Sequence, residues 1–246
     1  MKFLIQKEND YFDYDFCEGL FKSIEYQNWL LDGMDGIKYT ENYINYSFGK
    51  LNYIKTSYSK DCIPCGSVEF VTAYMEQIGL PIPNPRNVPK TLFKYAGRKI
   101  FNIDQSKIKF HVKDNYFCKS NNTIKGECGM ISEIKQFLDT DFQLSSIVDM
   151  ISEYRCFIYK HELVGIQNYQ GDFTIFPNVP KVKSMIKDFT DQPIAYTLDV
   201  FIDNNLDTWC LEVHDFFSCG LYGFRDYRIL PFMFSNWWNE YKKRSK

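Results

Sequence analysis

The segment between residues 195 and 215 has the pattern of a β-hairpin, and it constrains the fold more than any other part of the chain. Its two arms, residues 195–203 and residues 208–215, are rich in β-branched and aromatic side chains. The Asn-Asn-Leu-Asp sequence at residues 204–207 supplies the turn. With residue 203 paired with residue 208, counting back along both arms places Asp199 directly opposite Glu212.

Alternation along the two arms predicts one polar face and one apolar face. The polar face has Thr197, Asp199, Glu212 and His214, and the apolar face has Tyr196, Leu198, Val200, Ile202, Trp209, Leu211 and Val213. Directly opposed carboxylates repel, with Cβ atoms about 5 Å apart, so the pattern favours a cation between Asp199 and Glu212. Carboxylate oxygens suit Mg²⁺, with nucleotide phosphates completing its coordination. His214 could be a third ligand or hold a metal-bound water. The alternative is a solvated acidic face.

The composition excludes some classes of protein. A net charge of −2 and a pI of about 6.0 provide no field for general nucleic-acid binding. We expect a cytoplasmic protein, because the N-terminus is charged too early for a signal peptide and no apolar run approaches the ~18 residues of a membrane span. Of the eight cysteines, only Cys62 and Cys65 have metal-ligand spacing. Since no second pair completes a zinc site, we expect reduced, free thiols.

Four prolines between residues 81 and 89 predict a linker, because proline disfavours helices and central strands. We therefore expect a small N-terminal domain at residues 1–85 and a second domain at residues 86–246. The first has helical spacing over residues 16–31 and a second helix that Ser67 can cap. The second has a strictly alternating strand at residues 107–113, helices over residues 131–138 and 179–189, and the hairpin. This order of elements predicts an α+β fold.

Several basic side chains could face a phosphate. Lys113 ends the alternating strand, and Lys107, Lys109 and His111 share its face. Lys99 follows the proline-rich segment, and lysine is a point-charge donor suited to a phosphate. Arg155 could bind a phosphate or an acyl phosphate, with Glu153 orienting it or a ribose hydroxyl. The alternatives are a solvated strand face and a structural ion pair between Glu153 and Arg155.

These features occur in an order that resembles the ATP-grasp superfamily, and within it the compact clade found in phages and bacteria. The motifs are Ile-Pro-Cys-Gly-Ser-Val-Glu-Phe at residues 63–70, Ser-Glu-Tyr-Arg at residues 152–155 and Glu-Val-His-Asp at the start of residues 212–223. The resemblance covers about residues 60–230. Each motif is weak alone, and their order and spacing give the resemblance its specificity.

The resemblance implies a nucleotide held between two α+β subdomains, with Mg²⁺ bridging its phosphates. It implies that Lys113 and Lys99 bind phosphates, and that Arg155 faces the phosphates or the acyl phosphate. It also implies that Asp199 and Glu212 hold the metal. His214 departs from the family pattern, which usually has Asn there, and imidazole binds Mg²⁺ less well than an amide oxygen does. The adenine-binding hinge is expected near residues 146–151.

The expected function is ATP-dependent ligation of a carboxylate to an amine through an acyl phosphate. The expected cofactors are ATP and Mg²⁺, and the expected substrates are small-molecule or peptide acids and amines, with neither nucleic acid nor membrane as a partner. A catalytically inactive ATP-binding module is one alternative, suggested by His214. A metal-dependent phosphodiesterase using the same carboxylates is another, and a pure interaction protein is a third. The identity of the substrates and the oligomeric state stay open.

Overall fold

The computed structural model describes residues 1–32 and 42–245, which form two compact units. The first unit contains residues 1–82, 193–195 and 215–246, and the second contains residues 83–192 and 196–214. One boundary between these units lies between residues 82 and 83, and residues 215–246 belong to the first unit. Among the described helices, none has the length and apolar character needed to cross a bilayer.

The first unit is a three-stranded parallel sheet with helices. Its elements are β1 (Lys2–Gln6), α1 (Asp15–Asp32), β2 (Asn45–Gly49), β3 (Ile63–Cys65), α2 (Val68–Gln77) and α5 (Leu230–Arg244). The strand order is β2-β1-β3. The helix predicted after Ser67 is confirmed: the Ser67 hydroxyl accepts a hydrogen bond from the amide of Phe70 at 3.2 Å and caps α2. The helix predicted over residues 16–31 is confirmed as α1.

One sheet of the second unit contains the predicted hairpin. Its strands are β8 (Ser152–Tyr159), β9 (Glu162–Gly171), β10 (Ala195–Ile202) and β11 (Thr208–Asp215), in the order β11-β10-β8-β9. Helix α4 (Val179–Asp188) begins where Asn178 caps the amide of Lys181. The apolar side chains of α4 and β10 share one core. Because side chains alternate along β10, Thr197 and Asp199 face away from that core.

The second sheet of this unit is antiparallel. Its strands are β4 (Ile100–Asp104), β5 (Tyr116–Ser120), β6 (Cys128–Met130) and β7 (Asp141–Ser146), in the order β4-β7-β5-β6. One face packs a small core that includes Ile103, Cys118 and Leu144. Lys119 lies opposite Gln143, and both side chains are on the other face.

Three details differ from the sequence predictions. Residues 107–113 are not a strand: Asp104 accepts a hydrogen bond from the amide of Ser106 and caps the short helix α3 (Gln105–Ile108), which a turn follows. Residues 131–138 form a turn followed by irregular structure rather than a helix. On β11 the residues in this core are Cys210 and Val213. Trp209 and Leu211 are not among them, so the alternation predicted there is wrong for the first half of the strand. The eight cysteines are free thiols, as expected.

Candidate functional site

The two hairpin carboxylates and His214 meet in one cluster. One ligand atom from each of Asp199, Glu212 and His214 can be chosen so that all three lie within 4.8 Å of one another. The Nε2 atom of His214 is 2.9 Å from Oε1 of Glu212 and 3.7 Å from Oδ2 of Asp199. The side chain of Asp199 is 1% exposed and that of His214 is 42% exposed. The cluster therefore runs from the protein interior to solvent, as a site that admits a ligand must.

Arg155 on β8 binds the buried end of this cluster. Its Nε donates to Oδ1 of Asp199 at 2.8 Å and its Nη2 donates to Oδ2 at 2.7 Å. Both side chains are buried. This two-point pairing is the geometry that guanidinium and carboxylate favour, and it neutralises Asp199 in a place where an unpaired charge would be costly.

A β-bulge brings Tyr169 to the same place. The register between β8 and β9 shifts by one residue between Glu153 and Tyr154, so Tyr169 falls beside Glu153 and donates its hydroxyl proton to Oε2 at 2.7 Å. The guanidinium carbon of Arg155 lies 5.8 Å from the Tyr169 ring centroid. Burial raises the pKa of Tyr169, and the charges of Asp199 and Glu153 raise it further. Tyr169 therefore acts as a hydrogen-bond donor.

Lys119 on β5 reaches the cluster from the other sheet. Its Nζ forms a short ion pair with Oε2 of Glu212, and the two side chains are 29% and 18% exposed. Sequence reasoning did not select Lys119. Its only local signal is the short alternation of β5, and its partner lies 93 positions away in the chain.

The charges around Glu212 set its protonation state. Burial alone would raise the pKa of Glu212, but the positive charges and hydrogen bonds of His214 and Lys119 outweigh burial and hold that pKa well below its ordinary value. Burial lowers the pKa of His214, and Glu212 and Asp199 more than compensate, so the net direction is upward. Glu212 is thus held in the ionised form that a metal ion requires.

Arg98 supports the strand that holds Glu212. Its Nη1 donates to the carbonyl of Cys210 and its Nη2 donates to the carbonyl of Leu211, both at 2.9 Å. Burial lowers the pKa of the Arg98 guanidinium. Arg98 therefore fixes the backbone directly before Glu212 rather than pointing a free charge at a ligand.

Two sequence candidates lie elsewhere. Lys113 is exposed in the turn after α3, so its predicted position at the end of a strand is wrong. The face predicted for Lys107, Lys109, His111 and Lys113 does not exist for the same reason.

Lys99 is exposed, with its Nζ 3.2 Å from the hydroxyl of Tyr116 and 5.2 Å from the ring centroid of Phe101. Alternation along β5 places Tyr116 on the face opposite Lys119, so Lys99 and Lys119 do not converge.

The donor set fits a hard divalent cation. Glu212 and Asp199 offer carboxylate oxygens, which Mg²⁺ prefers, whereas the imidazole of His214 suits transition metals better. Asp199 accepts two hydrogen bonds from Arg155. Glu212 is paired with Lys119 and His214, so an ion bound here would compete with these partners. Over the described ranges, this is the one group of three or more such side chains close enough to hold a metal ion.

Comparisons with known proteins identify the family and the fold. The family profile described as "ATP-grasp domain, R2K clade family 2" matches residues 95–231. D-alanine–D-alanine ligase from Bacillus anthracis superposes with a TM-score of 0.51 at 11% identity, covering 99% of this chain and 98% of that one. A RimK domain ATP-grasp protein from Sphaerobacter thermophilus superposes with a TM-score of 0.53 at 10% identity, covering 96% and 98%. These likenesses show the fold. A search of curated protein sequences found no significant match.

Proposed function

This chain belongs to the ATP-grasp domain family, R2K clade family 2, and from that premise we propose that it is an ATP-dependent ligase that joins a carboxylate to an amine. The observation that supports this most directly is the meeting of Lys119 with Glu212. One sheet supplies the lysine and the other supplies the carboxylates, which is the charge arrangement that a metal-bound polyphosphate requires.

The side chains divide into metal ligands and phosphate donors. Asp199 and Glu212, with His214 beside them, would hold Mg²⁺, which when bound neutralises phosphate charge and orients the nucleotide. Lys119 would take the phosphate-binding role that the sequence assigned to Lys113, because its Nζ already lies at Glu212. Arg155 would balance the charge that develops in the transition state.

The remaining sequence candidates have more distant roles in this proposal. Glu153 would hold Tyr169 beneath the guanidinium of Arg155, since the Tyr169 hydroxyl donates to it. Lys99 lies on the sheet face opposite Lys119, so it would contact only the outer end of the nucleotide. Replacing Glu153 or Lys99 should therefore reduce nucleotide affinity less than replacing Lys119 or Glu212 does.

The reaction requires no nucleophile from the protein. A carboxylate oxygen of the acid substrate attacks the γ-phosphorus of ATP, the bond to the bridging oxygen breaks, and ADP leaves. The amine nitrogen of the second substrate then attacks the carbonyl carbon of the acyl phosphate, inorganic phosphate leaves, and the nitrogen loses a proton. We propose small-molecule or peptide acids and amines as substrates.

Calorimetric titration with a non-hydrolysable ATP analogue and Mg²⁺ tests the nucleotide site. We expect wild type and Lys113→Ala to bind alike, and Lys119→Ala and Glu212→Gln to lose about tenfold or more in affinity, since each removes a charged partner. Lys113→Ala is the matched control, because it removes an exposed lysine from the turn that precedes β5. Failure of the wild type to bind would refute the nucleotide site, and equal losses at Lys113 and Lys119 would refute the assignment of the lysine.

His214 supports a second candidate function, an ATP-binding module without ligase activity. Its imidazole is 2.9 Å from Glu212, where it favours metals other than Mg²⁺. The two functions differ in ADP release when wild-type protein is supplied with ATP, Mg²⁺ or Mn²⁺, and pools of acids and amines. Release that requires both an acid and an amine would support the ligase, whereas binding without release, even for His214→Asn, would support the module.

A further inference from the structure

The two buried residues 87–88, which we name the cross-sheet segment, join the two sheets of the second unit. At its centre, the carbonyl of Asn87 accepts a hydrogen bond from the amide of Val213 at 2.7 Å. The Nδ2 of Asn87 donates to the carbonyl of Ser120 and to Oδ1 of Asn121, both at 2.8 Å. One residue, 7% exposed, thus bonds β11 on one side and the end of β5 on the other.

The two strands are bonded next to the charged pair of the site. Val213 directly follows Glu212, and Ser120 directly follows Lys119. A hydrogen bond to the backbone of the adjacent residue restricts the position of the Cα atom from which each charged side chain extends. The distance between Lys119 and Glu212 is therefore set through Asn87 as well as by their own attraction.

Val88 adds a second connection to the sheet that holds Lys119. Its amide donates to Oε1 of Gln143 at 3.0 Å, and its carbonyl accepts from Nε2 of the same side chain at 2.9 Å. Gln143 is the cross-strand partner of Lys119. The side chain of Val88 lies in the core shared by α4 and the hairpin. The cross-sheet segment is therefore fixed at both of its sides.

The backbone of Asn87 explains why this residue type is suitable. Its φ of +46° lies in the left-handed region, which asparagine and glycine tolerate and which β-branched or bulky residues avoid. Glycine would keep this conformation but would lack the two Nδ2 donors. An Asn87→Gly substitution therefore removes the side-chain bonds and leaves the backbone conformation available.

We propose that Asn87 is a positioning residue that holds the lysine of one sheet at the metal carboxylate of the other. This inference rests on the proposed function. It assigns to the proline-rich segment a role in ligand affinity beyond that of a linker. The effect of Asn87 on nucleotide affinity should therefore act through Lys119.

A double-mutant cycle tests this dependence. The dissociation constant for the ATP analogue with Mg²⁺ is measured for wild type, Asn87→Gly, Lys119→Met and the double variant. We expect Asn87→Gly to weaken binding about tenfold in the wild-type background. In the Lys119→Met background we expect a loss of less than about twofold, because residues that act through one network couple. Asn178→Ala, which removes the cap of α4, is the control for a loss of stability alone and should bind like wild type.

Equal losses in the two backgrounds would overturn the inference, because a merely structural role is additive. If Asn87→Gly does not fold, amide hydrogen exchange of the wild type replaces it. The proposal then expects the ATP analogue with Mg²⁺ to slow exchange at Val213, and unchanged exchange would overturn it. If the wild type does not bind the analogue, the proposed function and the inference fail together, whereas wild-type binding with additive losses removes the inference alone.

Discussion

The buried ion pair between Arg155 and Asp199 allows stability and ligand binding to be separated. Asp199→Asn would place an amide where a carboxylate now accepts two hydrogen bonds at 2.8 and 2.7 Å. The guanidinium would remain buried and would lose the carboxylate that it now contacts at two points. Removing one partner of a buried pair costs about 3–5 kcal/mol, so we expect the free energy of unfolding to fall by that amount. For a chain of this length the melting temperature would fall by roughly 6–20 °C.

Replacing both partners should restore stability but not binding. Apolar residues in place of a buried ion pair are neutral or stabilise by about 1–4 kcal/mol. Arg155→Met/Asp199→Leu is therefore expected to be more stable than Asp199→Asn by at least about 3 kcal/mol. The same double variant lacks a metal carboxylate and a phosphate donor, so we expect it to show no measurable binding of the ATP analogue with Mg²⁺.

Calorimetric unfolding and titration of the same samples measure both quantities. Asp207→Asn, a change at an exposed residue of the turn in the same hairpin, is the matched control and should alter stability by less than about 0.5 kcal/mol. The reasoning is refuted if Asp199→Asn unfolds within about 1 kcal/mol of wild type, or if the double variant is no more stable than the single one. Nucleotide binding by the double variant would refute the role of these two side chains in the site.

Three further predictions concern single positions. Lys119→Met should strengthen binding of Mn²⁺ alone several-fold, because the lysine no longer occupies Glu212, and should weaken binding of the ATP analogue with Mg²⁺; competition titration would measure both. Arg98→Lys should destabilise the protein by about 1.5–3 kcal/mol, because lysine cannot bond two carbonyls in the same geometry. Gly97→Ala should cost at least about 1–2 kcal/mol, because φ is +62° and the added Cβ would lie 2.4 Å from Trp209; thermal unfolding tests both stability changes.

Each of these has a distinct contradicting result. Loss of both metal and nucleotide affinity in Lys119→Met would mean that the lysine supports the fold rather than competing with the ion. Wild-type stability in Arg98→Lys would mean that its carbonyl bonds contribute nothing net. Wild-type stability in Gly97→Ala would mean that the Trp209 ring moves aside at no cost.

The hairpin could be predicted because its information is local. Period-two alternation and a polar turn determine which residues share a face, and a register follows from counting. The prediction that Asp199, Glu212 and His214 lie together rests on this reasoning, and the three side chains form one cluster. The alternation fails over the first half of β11. The same reasoning failed at residues 107–113, where alternation was equally clear, because Asp104 caps a short helix that local hydrogen bonding favours over a strand.

Lys119 could not be selected from local pattern. The stretch Phe110 to Lys113 and the stretch Phe117 to Lys119 both place a lysine shortly after an apolar residue. The partner distinguishes the two lysines. Glu212 lies on the other sheet, and the pairing of Lys119 with Gln143 places the Lys119 side chain on the face from which it contacts Glu212. Such a contact depends on the packing of two sheets, and a single sequence does not encode it at any fixed spacing.

The proline-rich segment shows how a correct rule can lead to an incomplete conclusion. Prolines between residues 81 and 89 exclude a helix or a central strand, and none of these residues lies in either element. Exclusion from regular structure does not mean exposure, because side chains can supply the bonds that a sheet would otherwise provide. Gln143 does so for Val88, and Asn87 does so for Ser120. Sequence pattern therefore indicates the charged groups of the hairpin, whereas Lys119 and the residues that set its distance from Glu212 become visible only in the folded chain.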